Sequence, residues 1–456
     1  EKTYHAWNYA SKEEMQEFGR RYNSCGEYKG DDGKKHYYAD QTDNYLQKNY
    51  QLIFNHSFST AWNLNAALHY TKGDGYYEEY KDSSYLVTYG LKPFTMDGKE
   101  VSKSDLVRQK KMDNKFGGGV FSLNYTNHRL TASLGGGLNQ YRGSNFGRVT
   151  WVKNYIGALS PEHEYYRNQS KKTDGNIYLK ATYDLTKGLS AYADLQYRHI
   201  DYTIDGANDK YDWNKNTLRP LAIDKKFDFF NPKVGLNWNI NSNHRIYASF
   251  SVAQKEPTRN NYTDGNPDSY PKAEKLLDYE AGYTFATHWL TAGANFYYMD
   301  YTDRERRLLS VGDWSVYRTH LGLVAYGASF SAAYTAPEER WSASVGVRAD
   351  GNNYSSRMSR PWEQLSPRAS FRYVFSPHWS TAASAGWYHQ LPPYTALGYK
   401  DATNRLVNRD LRYMNVAQAA WGGEWKANDR WAVSVEGFYK SYHRVPLSLA
   451  DGVPLT

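Results

Sequence analysis

Stretches of about ten residues in which apolar and polar side chains alternate recur along this chain. The clearest is residues 189–202, where Leu189, Leu195 and Tyr197 occupy one set of alternate positions and Asp194 occupies the other. Because successive side chains of a strand point to opposite faces, such a segment has one apolar and one polar face. It suits a strand between lipid and a polar lumen, and it also suits a soluble sheet with one solvated face.

Repetition of this pattern favours the membrane interpretation. We count sixteen strand candidates in eight hairpins, whose predicted turns lie at residues 59–61, 127–128, 186–188, 241–243, 286–288, 337–339, 376–378 and 427–429. The links between hairpins are long and polar, at residues 77–114, 142–173, 203–228, 254–275 and 391–413. Soluble domains mostly use loops of about 4–6 residues, whereas outer-membrane barrels combine tight turns on one side with long loops on the other. We therefore predict an all-β fold, an antiparallel transmembrane β-barrel.

The composition agrees with this class of membrane protein. The mean hydropathy is −0.82, and the sequence holds no apolar run near the ~20 residues that a transmembrane helix needs. The 44 Tyr and 14 Trp include several at predicted strand ends, among them Trp62, Trp289 and Trp431. Rings there fit the aromatic girdles of a barrel, although Tyr and Trp are also common in strands of every kind.

Charge and motifs leave few signs of other functions. The net charge of +8 is spread along the chain without a DNA- or RNA-binding motif, so we expect no nucleic-acid partner. The single Cys25 can form no internal disulfide, and we find no nucleophile elbow, phosphate-binding glycine loop or HExxH motif. We expect neither an enzyme, nor a metal site, nor a cofactor.

Three segments carry a resemblance to a known family. They are FFNPK at residues 229–233, ASFSVAQKEPTR at residues 248–259 and KLLDYEAGY at residues 275–283. Together they resemble the barrel of TonB-dependent outer-membrane receptors, in which a strand ends in a Pro-Thr-Arg type motif and the next opens with a Leu-x-Asp-Tyr-Glu type motif. The resemblance covers residues 1–302.

The resemblance implies active uptake through the outer membrane. A receptor of this family is a 22-stranded barrel, closed by an N-terminal plug, that releases a bound nutrient when the inner-membrane TonB complex pulls on the plug. This chain begins at Glu1 without a signal peptide, a TonB box or a plug, and it ends without the usual C-terminal aromatic strand. We therefore expect a fragment with about 16 of the 22 strands, in contact with outer-membrane lipid, whose link to TonB lies in the missing plug.

An internal repeat suggests a composite chain. Residues 230–301 align with residues 366–443, and the family pattern breaks where Arg304 to Arg307 follow Tyr301. Our hypothesis is a join near residue 303 between pieces of two related receptors, although lipid could also impose one pattern on unrelated hairpins. The predicted domains are a loop segment at 1–44, receptor strands at 45–302, and further receptor strands at 303–456.

The favoured function is uptake of a scarce nutrient, which could be siderophore iron, haem, cobalamin or an oligosaccharide. A passive porin and a soluble all-β adhesin or sugar-binding protein stay as alternatives. The predicted ligand contacts are Arg259, Asn260 and Tyr262 in one loop and Trp213 in another. Arginine and aromatic side chains there could hold an anionic or planar ligand by charge-assisted hydrogen bonds and stacking.

Overall fold

The computed structural model describes residues 2–4, 10, 12–19, 21–160, 163–265, 267, 270–311, 314–397 and 408–446, without the side chains of 2–4, 12, 304–321, 394 and 395. The strands are β1 (Lys2–Tyr4), β2 (Glu27–Lys29), β3 (Lys35–Tyr37), β4 (Thr42–Ser57), β5 (Trp62–Tyr85), β6 (Phe94–Met96), β7 (Lys99–Val101), β8 (Lys103–Thr126), β9 (Leu130–Val152), β10 (Glu164–Asp184), β11 (Leu189–Asp212), β12 (Thr217–Asn239), β13 (His244–Lys255), β14 (Glu274–Ala286), β15 (Leu290–Val311), β16 (Trp314–Thr335), β17 (Trp341–Asn352), β18 (Ser366–Ser376), β19 (Trp379–Gln390), β20 (Met414–Asn428) and β21 (Trp431–His443). The helices are α1 (Lys12–Phe18), α2 (Arg259–Thr263) and α3 (Tyr394–Leu397), with 3-10 turns at Leu86–Tyr89 and Pro361–Gln364. No helix among the described residues is long and apolar enough to cross a membrane.

Sixteen long strands make up one sheet of the described residues, together with the short β1. Its eight tight turns fall where the alternation predicts them, so the predicted all-β fold and its hairpins are confirmed. Asparagine side chains shape three of these turns. The Asn127 side-chain oxygen, for example, accepts the backbone N–H groups of Arg129 and Leu130, each at 2.8 Å. The side-chain oxygens of Asn241 and Asn428 likewise accept two backbone N–H groups each at their own turns. This is the geometry of an Asx-turn, in which the side chain bonds to backbone groups of the turn.

Three of the predicted long loops are wrong in extent. β5 continues to Tyr85 and β8 already begins at Lys103, so most of predicted loop 77–114 is strand. β9 and β10 likewise enter loop 142–173, and β11 and β12 nearly fill loop 203–228. These extensions lack the apolar alternation on which the prediction relied, and ladder hydrogen bonds continue without it. The predicted loops at 254–275 and 391–413 contain the short helices α2 and α3.

The chain divides into two compact units, of which unit 1 comprises Glu1–Asn124, Leu134–Tyr178 and Tyr197–Phe229. Its strands follow the order β4, β5, β8, β9, β10, β11 and β12, each hydrogen-bonded to the next. A hydrophobic cluster that includes the fully buried Leu86, Leu106 and Val149 packs where the 3-10 turn after β5 meets β8 and β9. A ring nitrogen of His163 lies 2.7 Å from the Tyr89 carbonyl oxygen, a hydrogen bond that stabilises the same 3-10 turn.

Unit 2 comprises Tyr125–Ser133, Leu179–Gln196 and Phe230–Thr456. Its strands β12 to β21 form an uninterrupted antiparallel meander in sequence order. β13 and β14, for example, pair without a break from His244 opposite Phe285 to Lys255 opposite Glu274. A smaller buried cluster of Met358, Leu397 and Tyr413 lies beneath the loops of this unit.

The predicted join near residue 303 lies within the β15–β16 hairpin. Its register is regular as far as Tyr301 opposite Leu323 and then shifts three times, and Asp303 itself has a positive φ of 55°. The two predicted repeats also share an architecture, since a hairpin, a short helix and a second hairpin follow one another in both. The composite origin and the domain boundaries at 44 and 302 stay predictions.

Candidate functional site

The long strands have one strongly apolar face, which fixes where polar chemistry can lie. On β21, Val433 and Val435 are exposed by 52% and 73%, and Trp421 on the adjacent β20 is exposed by 68%. Such a continuous exposed apolar surface is unstable in water and is expected where lipid covers it. The opposite face carries most of the polar side chains, so a functional site is expected there.

The structure brings three of the four predicted ligand contacts together on α2 of unit 2. Thr258 and Asn261 form a capping box at its start, with a 2.6 Å bond from the Thr258 backbone N–H to the Asn261 side-chain oxygen. Asn260 is exposed and Arg259 is half-buried, whereas Tyr262 is only 1% exposed and packs edge-to-face against Tyr270. The ring of Tyr262 therefore contacts protein, and a ligand role for this loop stays a prediction.

Trp213, the fourth predicted contact, lies in unit 1 at the turn between β11 and β12. It is 52% exposed. The rings of Tyr85 and Tyr211 each meet it edge-to-face with centroids 4.9 Å apart, and the Lys103 ammonium lies 4.1 Å from the Tyr85 centroid. Two tyrosines thus hold an exposed indole beside a cation, an arrangement that can stack against a planar group. Its ligand role also stays a prediction.

In unit 2, a tyrosine lies flat across the polar face of three strands. Tyr247 on β13 reaches over Gly282 on β14, and its hydroxyl donates to the Asn295 side chain on β15 at 3.1 Å. A methyl group at position 282 would overlap both the Tyr247 ring and the Asn295 oxygen. Glycine is therefore required at position 282 for this crossing.

The same arrangement recurs on the next strands. Tyr297 on β15 passes over Gly327 on β16, and its hydroxyl donates to Asp350 on β17 at 2.5 Å. The Arg348 side-chain Nε lies 2.9 Å from both Asp350 oxygens. Tyr297 and Arg348 thus share the buried carboxylate of Asp350, which is 8% exposed.

These side chains line a cavity of about 570 Å³ in unit 2, together with Glu280 and His389. Its size falls in the range of about 300–1,000 Å³ that is usual for small-molecule sites. The lining combines flat aromatic rings with carboxylate, guanidinium, imidazole and amide groups, so it can both stack with and hydrogen-bond to a solute. No group of three or more His, Cys, Asp or Glu among the described residues is placed to hold a metal ion.

Unit 1 carries a charged network on the extended parts of β5, β8 and β11, well beyond the segments next to the tight turns. Arg108 donates from Nη2 to Glu79 at 2.6 Å, and Lys110 pairs with Asp209. Burial alone would raise the pKa of Glu79 and of Asp209, but the neighbouring Arg108 and Lys110, respectively, outweigh it and lower both pKa values. Burial and the nearby Arg108 lower the pKa of Lys81.

Sequence reasoning missed the cavity in unit 2 and the charged network in unit 1. The network falls in residues that were assigned to loops, although Glu79 and Lys81, and Arg108 and Lys110, occupy alternate positions as strand residues do. The crossing tyrosines leave a weaker sign, a glycine in the middle of a strand, which indicates close approach of another group.

An antiparallel sheet with one exposed apolar face and one polar face is typical of outer-membrane β-barrel proteins. The family model described as TonB dependent receptor-like, beta-barrel matches residues 3–335. The chain belongs to this family, which places it in the outer membrane and confirms the predicted resemblance. The match continues past residue 303.

Solved structures have the same fold. The ferric-catecholate import receptor Fiu from E. coli K12, in its closed form, has a TM-score of 0.53 at 15% identity over 86% of this chain and 60% of its own. The copper transporter OprC has a TM-score of 0.63 at 11% identity, over 88% of this chain and 61% of its own. The ferric yersiniabactin uptake receptor FyuA from Yersinia pestis has a TM-score of 0.55 at 13% identity, over 87% of this chain and 56% of its own.

The chain thus spans about three fifths of the length of these receptors. A comparison with curated protein sequences gave no match. Because the identities are low, the likenesses to these solved structures concern the fold alone. The general role, that of an outer-membrane nutrient receptor, comes from the family to which the chain belongs.

Proposed function

We propose that this chain is the barrel portion of a receptor that takes up a scarce nutrient across the outer membrane with energy from the TonB complex. The observation that carries the proposal is the family match over residues 3–335, on a sheet whose polar face holds a solute-sized cavity. The role assigned is transport, with recognition by side chains rather than catalysis.

The ligand classes to test follow from the fold relatives and from the site. The relatives are named for ferric catecholate, ferric yersiniabactin and copper. We retain siderophore iron, haem, cobalamin and oligosaccharide as candidates. In this proposal Trp213 and the α2 residues Arg259 and Asn260 make the first contacts, and the cavity in unit 2 lies on the polar face that the nutrient passes.

Gene deletion in the source organism tests the proposal. Growth of the deletion strain would be compared with wild type when iron, haem, cobalamin or a single oligosaccharide limits growth, with and without a functional TonB gene. We expect a defect on one nutrient, and we expect that restoring the receptor gene rescues growth only when TonB is present. Rescue that does not need TonB would indicate a passive porin and would contradict energised uptake.

Two point variants would then test recognition. Trp213→Ala should reduce uptake at limiting nutrient, because it removes an exposed indole held by two tyrosines. Trp151→Ala is the matched control, since Trp151 is a similarly exposed indole (44%) elsewhere in unit 1. Equal uptake by the two variants would rule out a special role for Trp213.

A further inference from the structure

One stretch of the polar face in unit 1 consists of uncharged side chains on four neighbouring strands. We call it the amide track. It comprises the odd-numbered residues 45–57 of β4, the odd-numbered residues 63–75 of β5, the even-numbered residues 112–124 of β8, and residues 135, 137 and 139 of β9. Within these described stretches the track has no Asp, Glu, Lys or Arg, and its polar members are mainly Asn and Gln with Ser, Thr, Tyr and one His.

Hydrogen-bond distances show that these side chains face one another across the strands. The Asn65 amide donates to Ser122 at 3.4 Å, and the Asn124 amide donates to Asn63 at the same distance. At the β9 side, a ring nitrogen of His69 lies 2.8 Å from the Asn139 side-chain oxygen. Bonds of 3.4 Å are long for amide donors, so a solute or water can replace them at little loss.

The polar face of unit 2 has a different character. Charged side chains occur at its alternating positions on six strands: Arg245, Glu280, Arg348, Arg368, Arg372, Glu424 and Glu436. In unit 1 charges resume beyond the amide track, towards the long loops, with Glu79 on β5 and Arg108 on β8. The absence of charge is therefore a property of the amide track and not of the whole polar face.

We infer that the amide track is a contact surface for an uncharged, polyhydroxylated solute of the oligosaccharide class. Each amide and each sugar hydroxyl both donates and accepts hydrogen bonds, so the two kinds of group can exchange partners along the track. An anionic chelate would find no cation there to offset its loss of water. The inference rests on the proposed function and narrows its ligand class.

Calorimetric titration of the full chain in detergent tests the inference. The probes are three neutral hexasaccharides (maltohexaose, xylohexaose and mannohexaose) and the anionic hexagalacturonate. We expect at least one neutral probe to bind about tenfold more tightly than hexagalacturonate, a difference of about 1.4 kcal/mol. Equal or tighter binding of hexagalacturonate, or no binding of any neutral probe, would overturn the inference.

Charge insertion supplies the second measurement. The double variant Asn65→Asp with Asn124→Asp should weaken binding of the neutral probe by at least about fivefold, because two carboxylates would be desolvated beside it. Asn55→Asp, at an exposed track position, should act in the same direction without straining the fold. Ser370→Asp, on the charged polar face of unit 2, is the matched control and should leave binding unchanged.

Loss of binding in the control as large as in the track variants would assign the effect to overall charge and would overturn the inference. These outcomes are separate from the growth test. A receptor that supports TonB-dependent growth on iron and does not bind sugars refutes the track's ligand class and leaves the proposed function standing. A chain that binds sugars without a TonB-dependent phenotype refutes energised uptake instead.

Discussion

Replacing Gly282 by alanine would disrupt the crossing of Tyr247 over β14. The added methyl carbon would lie 2.8 Å from the Tyr247 Cζ and would also overlap Cε1 of that ring and the Asn295 side-chain oxygen. All three atoms belong to side chains, so the backbone can keep its position, but the Tyr247 ring must move away from β14.

The expected loss of stability can be worked from these contacts. The displaced ring gives up its 3.1 Å hydrogen bond to Asn295, which is about 0.5–1.5 kcal/mol. Crowding of a packed site adds about 1–3 kcal/mol. We therefore expect Gly282→Ala to lower the free energy of unfolding by about 2–4 kcal/mol, within the range of these two effects.

Urea unfolding of the protein in lipid vesicles, followed by tryptophan fluorescence, would measure this change. Gly293→Ala on β15 is the matched control, since its added methyl would find its nearest neighbour at an ordinary 3.4 Å. Alanine suits a strand better than glycine by about 0.5–1 kcal/mol, so the control should be neutral or slightly stabilised.

A background that lacks both obstructing side chains sharpens the test. In the double variant Tyr247→Ala with Asn295→Ala, the same Gly282→Ala change should no longer destabilise and should gain up to about 1 kcal/mol. If Gly282→Ala behaved like Gly293→Ala in the wild-type background, or kept its full effect in the double variant, the crossing would not be the reason for the glycine.

Three further predictions concern the loops, the charged network and the lipid face. Tyr262→Ala should lower the free energy of unfolding by about 3–5 kcal/mol because the ring is 1% exposed. Asn260 is exposed, so Asn260→Ala should change the free energy of unfolding by less than about 0.5 kcal/mol. Equal effects of the two variants in the same unfolding assay would contradict the burial of Tyr262. The lowered pKa of Asp209 stabilises the folded state at pH values above the ordinary pKa of 3.8, and this stabilisation is lost as the pH falls through the lowered native pKa. A pH series of melting temperatures should therefore show a smaller acid-induced fall for Asp209→Asn than for wild type. Parallel curves for the two proteins would argue against the ion pair. Val435→Arg should destabilise the protein in vesicles by about 2–4 kcal/mol and Ser434→Arg should do so much less, since lipid tolerates a charge poorly near its midplane; the reverse order would invert the assignment of the two faces.

Much of the fold follows from the sequence because the signals are local. A two-residue period separates the faces of residues 189–202 without reference to any other strand, and an asparagine at position 127 or 241 sets its turn through backbone groups two and three residues away. Consecutive hairpins that lie next to one another in the sheet then fix the order β12 to β21.

The parts that the sequence did not determine depend on residues far apart in the chain. Lys110 meets Asp209 across the sheet, and Tyr297 reaches Asp350 only because Gly327 lies between them. The hydrophobic alternation ends before β5 does, so it also could not show that β5 continues to Tyr85. Residue types predicted Tyr262 as a ligand contact, but tertiary packing buried its ring. The sequence alone determined which side chains of each strand share an apolar face, because that pattern repeats every two residues. The tertiary structure decided which polar groups meet on the other face, because the register of three or more strands sets those contacts.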